Sequence, residues 1–373
     1  MKRSIEELLA EIHEHHDELD STAAEADRLG EAPDSLVDLM RELRVPMVKA
    51  PAAAGGDNIT FSEQLRYFAA LSHANATAGW TGFNHAGAAG AVASKLDERG
   101  FEEVFGDDPC PFFAAVSAPS GRFRSGAEGG VVNGHWKFAS GCLHADWALL
   151  MAVGEAGPTD MRMVVVPMDE VRRTGDWNVM ALKGTGSIDI VCEDVHVPDY
   201  RFVDLAAAPL RGGPEFAQSY VVYVAGENLG FTLGVTERFL DEAKLHARKK
   251  SRGFGGTLDQ RGAFTYELGK AATQVASVRA LGIATLDEAW DLCQANGGLT
   301  PAEENRVSAM TAYGTELCAQ AVSHIFHFLG ASAIFDESVL QRCFRDVHGS
   351  AQHLVASNEA FDRHGGDLMN AEG

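Results

Sequence analysis

Basic charge is what this 373-residue sequence has least of: 31 lysines and arginines stand against 53 aspartates and glutamates, a formal net charge of −22. A nucleic-acid binder needs a basic face to meet phosphates, and a protein docking on anionic lipid needs one too. This balance argues against both. Long apolar runs are missing as well: none reaches the roughly 18 residues that span a bilayer. The opening MKRSIEELLAEIHEHHDELD has two early positive charges but no apolar signal core behind them. The six cysteines, Cys110, Cys142, Cys192, Cys293, Cys318 and Cys343, show no CxxC spacing. Scattered thiols suit a reduced compartment better than a disulfide framework or a zinc site. These absences together predict a cytoplasmic protein. What is plentiful is core: 46% of residues are hydrophobic, over a length that suits two or three packed subdomains.

Three regimes follow one another, and they predict an α+β fold. Residues 1–110 read as a helical domain. Ile5, Leu8, Leu9 and Ile12 recur at helical spacing, and APDSLVDLMRELRVP is a second helix that Asp34 or Ser35 can cap. TFSEQLRYFAALSHANA is a third, and the Gly- and Ala-rich AGWTGFNHAGAAGAVASKL reads as a buried helix with close neighbours. Residues 111–205 change to short β-rich runs separated by Gly, Pro, Asn and Asp. With no helices between them, they predict an antiparallel barrel or sandwich. Residues 206–373 return to helix. Long segments near 216–250, 262–295, 302–330 and 337–360 suggest a four-helix bundle.

Several motifs fail on inspection. HEHHD (His13 to Asp17) lacks the second His of the HExxH zinc pattern and reads as a solvated acidic face. GTGS (Gly184 to Ser187) leads into a strand, where a phosphate loop needs a helix. No GxGxxG follows a strand, so a Rossmann nicotinamide site is disfavoured. The stretch WKFASGCLHADW is more promising. On one strand, Trp136, Phe138 and Ser140 would share a face. They can be plain core residues, or they can present an aromatic and a hydroxyl to a flat ligand.

WKFASGC, GTGSIDIVCEDVHVP (184–198) and FRDVHGSAQHL (344–354), in the order helices, β domain, bundle, resemble the acyl-CoA dehydrogenase fold. The resemblance runs from about residue 30 to 360 and is closest to the fold's flavin-dependent monooxygenase branch, the oxygenase components of two-component aromatic hydroxylases. It implies that Phe138 packs on the flavin ring, Ser140 bonds near flavin N5, and Ser117 contacts the pyrimidine side. It also implies that Arg252, within HARKKSRGFGG, reaches the flavin phosphate. The dehydrogenases keep a glutamate base where this chain has Leu354, which leaves acyl-CoA dehydrogenation without its base.

What the resemblance implies is a monooxygenase taking reduced FMN or FAD (FMNH2 or FADH2) from an NAD(P)H-dependent flavin reductase. It would react the flavin with O2 through a C4a-hydroperoxyflavin and hydroxylate a small aromatic substrate, as a homotetramer. His353 is then the expected catalytic base, with Trp80, His85 and His348 as further substrate-side candidates. On a helix, Asp346 and His353 would share a face, and His348 would lie about 140° from His353. The alternatives are an N-oxygenase acting on an amino sugar, an acyl-CoA dehydrogenase with a displaced base such as Glu359, and a flavin-binding scaffold.

Overall fold

A computed structural model of the chain describes residues 2–204, 207–251 and 255–370. The N-terminal helices are α1 (Ile5–Glu14), α2 (His16–Leu29), α3 (Asp34–Glu42), α4 (Phe61–Ala74), α5 (Ala76–Lys95) and α6 (Glu98–Phe105). Their boundaries follow from local chemistry. Ser4 with Glu7 and Thr60 with Glu63 form reciprocal capping boxes at the starts of α1 and α4. Pro33, not Asp34 or Ser35, sits at the start of α3, and no side chain caps it. Helix α5 is buried along nearly its whole length, as its small residues predict.

The strands are β1 (Phe113–Gly126), β2 (Gly129–Trp136), β3 (Trp147–Val153), β4 (Met161–Pro167), β5 (Arg172–Thr174), β6 (Asp189–Pro198) and β7 (Phe202–Val203). They form one sheet ordered β5-β6-β2-β1-β3-β4-β7. This bears out a central β domain and corrects its expected all-antiparallel pairing at one place. The sheet is mixed, because β1 and β3 run parallel, with Phe113 opposite Trp147 and a register shift between Val116 and Gly121. A parallel neighbour needs a crossover, and residues 137–146 supply it. The sheet buries both faces. Ala114, Val116, Ala148 and Leu150 enter one core, while Phe113, Leu149, Met163 and Val165 pack with Ala89, Val92 and Phe105 of the helices.

The C-terminal helices are α7 (Tyr220–Tyr223), α8 (Ala225–Lys249), α9 (Gly262–Asn296), α10 (Pro301–Leu329), α11 (Val339–Ser350) and α12 (Glu359–Asn370). They share one core with the N-terminal helices, including Leu65, Phe68, Leu229, Phe231 and Phe239. Helix α8 presses on α4 through Gly226, Gly230 and Gly234; a Cβ on Gly234 would lie 2.1 Å from the Ala69 carbonyl oxygen. The expected helix over 337–360 is interrupted. Helix α11 ends at Ser350, and His353 starts a short 3-10 turn over Leu354–Ala356. Asp346 and His353 therefore do not share a helix face. Among the described residues no helix is long and apolar enough to cross a membrane.

Candidate active site

The stretch WKFASGC is not one strand. Strand β2 ends at Trp136, whose ring is fully buried. The chain then turns out of the sheet at Phe138, which has φ +62° and is 67% exposed. A large residue in the left-handed region costs on the order of 1–3 kcal/mol and persists only where its surroundings hold it. Here the holding is backbone pairing with the GTGS loop. Ala139 N donates to Ile188 O at 3.1 Å, and Gly141 N donates to Thr185 O at 3.0 Å. Gly186, also at positive φ, lies so close to Leu143 that a Cβ would come within 2.7 Å of it. Thus GTGS, rejected as a phosphate loop, is the clamp on the Ser140 loop.

Ser140 is buried between these loops, 2.8 Å from Ser187 Oγ, which is 2.6 Å from Thr185 Oγ. From the other side the Trp80 indole N–H donates to Ser140 Oγ at 3.1 Å. Trp80 also meets His353, with ring centres 5.7 Å apart, and Phe83, at 4.8 Å. His353 Nδ1 accepts from the Val355 backbone N–H at 3.4 Å. A neutral imidazole accepting at Nδ1 carries its proton on Nε2. Burial pushes its pKa down to about 4. At neutral pH His353 is therefore uncharged, and with Nδ1 accepting it can donate from Nε2.

Beside this cluster lies a cavity of about 570 Å³ between α5, the sheet and residues 216–224. Phe83, Leu149, Met151, Met163 and Tyr223 make it largely apolar; Asn84, Ser117, Gln218 and Ser219 add polar points. Ser117 and Tyr220 both line it. Among the described residues no carboxylate lines the cavity, and the one charged residue there, Lys95, donates to the Ala207 carbonyl. Leu354, where the dehydrogenases carry their glutamate, is in the wall. A second, more polar cavity of about 1080 Å³ opens across Leu354 and Ser219, lined by His353, Glu304, Glu316, Glu359 and Arg363.

The structure thus brings Trp80, Ser140 and His353 into one cluster, with Ser117 in the adjoining cavity and Phe138 two residues from Ser140. Two candidates have other partners. His85 lies against the Ser140 loop, where a Cβ on Gly141 would come within 2.6 Å of its Cε1, but its Nδ1 bonds the Phe113 carbonyl at 2.7 Å, it packs on Phe112, and burial lowers its pKa to about 4. His348 is half-buried between helices, 3.0 Å from Ser323 Oγ and packed on Phe344. Neither lines the 570 Å³ cavity. Arg252 lies outside the described residues. Ser187 and Thr185 were missed; their only sequence signal was the pair of hydroxyls in GTGS.

This geometry suits a flat ring. An aromatic face is held outward in a costly backbone conformation, and a buried hydroxyl beside it is braced from two sides. Residues 229–358 match the family described as acyl-CoA dehydrogenase, C-terminal domain. The fold agrees: XiaF from Streptomyces sp., solved with FADH2 and glycerol, superposes with a TM-score of 0.87 at 22% identity, over 99% of this chain and 96% of that one. The chain has the acyl-CoA dehydrogenase fold. Among curated relatives, a pigment production hydroxylase of Rhodococcus erythropolis is 27% identical, covering 94% of this chain and 92% of that protein. The oxygenase component of p-hydroxyphenylacetate 3-hydroxylase from Acinetobacter baumannii is 24% identical, covering 98% and 89%. Within the fold, the curated relatives that resemble this chain carry the names of hydroxylases and flavin-dependent monooxygenases.

Proposed function

We propose that the chain is the oxygenase component of a two-component monooxygenase. It takes reduced FMN or FAD from an NAD(P)H-dependent flavin reductase and, with O2, hydroxylates a small aromatic substrate. When bound, the reduced flavin supplies the electrons that activate O2 and the means of delivering one oxygen atom. The chain's residues do the rest. Phe138 offers its face to the ring, Ser140 bonds a ring nitrogen, and Ser117 serves the polar edge from the cavity side. Uncharged at neutral pH, His353 would offer its Nε2–H to the bound flavin or substrate. The apolar cavity keeps water from the site and receives the substrate.

The carrying observation is Leu354 in the wall of a cavity that, among the described residues, no carboxylate lines. An α-proton has no base to leave with, which disfavours acyl-CoA dehydrogenation. Glu359, the candidate displaced base, lines the polar cavity on the other side. An amino sugar's ammonium would find no anionic partner in the apolar cavity, which disfavours the N-oxygenase reading. A homotetramer gains support from large apolar side chains exposed on the C-terminal half, among them Tyr266, Leu281, Tyr313, Ile334 and Phe335. In that assembly Arg252 would serve the flavin phosphate.

The test is rapid mixing of the reduced-flavin complex with oxygenated buffer. A transient distinct from both reduced and oxidised flavin, prolonged with an aromatic substrate and ending in hydroxylated product, is expected. Flavin reduced by acyl-CoA instead would overturn the proposal. In parallel, His353→Ala is expected to keep reduced-flavin binding and lose most hydroxylation, with His348→Ala losing much less; full product yield from His353→Ala would remove it from the site.

A further inference from the structure

The hydroxyls around Ser140 form a line whose direction follows from where Thr185 sends its one proton, here to the Leu182 carbonyl, which also accepts from the Trp177 indole N–H at 3.0 Å. Thr185 Oγ donates to the Leu182 carbonyl at 2.8 Å, and a carbonyl only accepts. Thr185 has one proton, so toward Ser187 Oγ, at 2.6 Å, it accepts. Ser187 thereby directs its own proton at Thr185, and toward Ser140 Oγ, at 2.8 Å, it accepts in turn. The proton of Ser140 therefore points at Ser187. The Trp80 indole, a donor only, adds its N–H to Ser140 at 3.1 Å. Ser140 is left with one free lone pair and no proton to offer a ligand. All four side chains are buried, so water does not readily scramble the order.

We infer that this line makes Ser140 a fixed acceptor, and that Ser187 and Thr185 thereby make the site select reduced over oxidised flavin. The inference rests on the flavin reading above. The central ring nitrogen that Ser140 would meet carries N–H in reduced flavin and a bare lone pair in oxidised flavin. A fixed acceptor bonds the first and repels the second. After turnover, the same repulsion favours release of oxidised flavin back to the reductase. Ser187 and Thr185 are positioning residues: they touch no flavin and act only through the proton of Ser140.

Titrating the protein with reduced flavin under anaerobic conditions, and with oxidised flavin in air, gives the ratio of the two dissociation constants. In Ser187→Ala the Ser140 proton loses its acceptor and can turn to oxidised flavin. In Thr185→Val, close to isosteric, the Ser187 proton loses its fixed target and the line can reverse. Both are expected to shrink the ratio about tenfold, the size of one hydrogen bond. Thr185→Ser, which keeps the hydroxyl, should retain the wild-type ratio, and it makes a second pair with Thr185→Val should Ser187→Ala fold poorly. A wild-type protein binding both forms equally, or variants that keep its ratio, would overturn the inference. Wild-type protein binding neither form would instead bring down the flavin reading.

Discussion

Helix α5 runs between two buried polar clusters built on opposite principles. Near Trp80 the groups are neutral: indole, three hydroxyls and a carbonyl. Near Gly87 and Gly90 they are charged. Lys49 Nζ lies 2.8 Å from Glu227 Oε1, donates to the Tyr223 carbonyl and sits over the Tyr223 ring, 3.4 Å from its centre. Both charged side chains are at most 2% exposed, and among the described residues Glu227 Oε2 has no hydrogen-bond partner. Burial pushes the Lys49 pKa down and that of Glu227 up, each against the pull of the other. A buried ion pair tolerates no loss of a partner, since the survivor is a charge without water. A neutral line tolerates loss more cheaply, but its direction carries information. The charged cluster fixes the wall of the cavity through Tyr223; the neutral one sets what the site accepts.

Breaking the charged cluster should have the largest effect. Lys49→Met leaves the Glu227 carboxylate unpaired in the interior, at a cost of about 3–5 kcal/mol. The double variant Lys49→Met, Glu227→Gln should recover much of that loss, because no charge remains to desolvate. Denaturant unfolding of the wild type, the single and the double variant measures both steps. A single variant as stable as the wild type would show that the pair is not buried as described.

Acid is the way to put charge beside the neutral cluster. His85 and His353 flank it with pKa values near 4, both lowered by burial, against about 6.5 when unfolded. Between about pH 6.5 and 4 the unfolded chain thus holds two protons that the folded chain refuses, and stability falls as pH falls. Asp346, raised by burial to about 6, works the other way. Its folded form holds a proton over about pH 6 to 4 that the unfolded form has released. For these three groups the net is one proton, so stability should drop by about 1.4 kcal/mol per pH unit over that range. His85→Gln should bring their combined contribution close to flat. An unchanged slope in that variant would mean that His85 titrates normally.

The charged cluster had no sequence signal, because Lys49 and Glu227 are 178 positions apart and only the packing of the segment between α3 and α4 against α8 brings them together. The helices were legible where periodicity ran long: α4, α5 and α10 follow their apolar and capping patterns. The sheet was legible as short strands but not in topology, because pairing of β1 with β3 is decided by a crossover that alternation does not encode. Ser140 and Phe138 became candidates through resemblance, while strand alternation misplaced them on one face. A single left-handed residue reversed that, and no propensity for Phe forecasts it. His353 was placed by resemblance too. Its tautomer and its lowered pKa depend on the Val355 N–H and on burial, neither of which the sequence displays.

The smallest effect tests that left-handed residue and sets stability against function. Phe138 is mostly exposed, and its one ring contact is edge-on to Trp177 at 6.2 Å, so little packing is lost when the ring is removed. Glycine adopts φ near +62° without the Cβ clash but has more freedom to lose on folding. Relief of the clash outweighs that lost freedom, so Phe138→Gly should leave the flavin-free protein about 0.5–1 kcal/mol more stable. The neutral hydroxyl line should be untouched, since Ala139 and Gly141 hold the loop through backbone bonds. Reduced flavin, however, should bind several-fold more weakly for want of the aromatic face, while the ratio of reduced to oxidised affinity set by Ser140 stays as in the wild type. Thermal unfolding without flavin and titration with both flavin forms check the two halves. A variant that loses stability would show that the ring is structural. One that gains stability and binds flavin as before would take Phe138 out of the site and leave Ser140 in it.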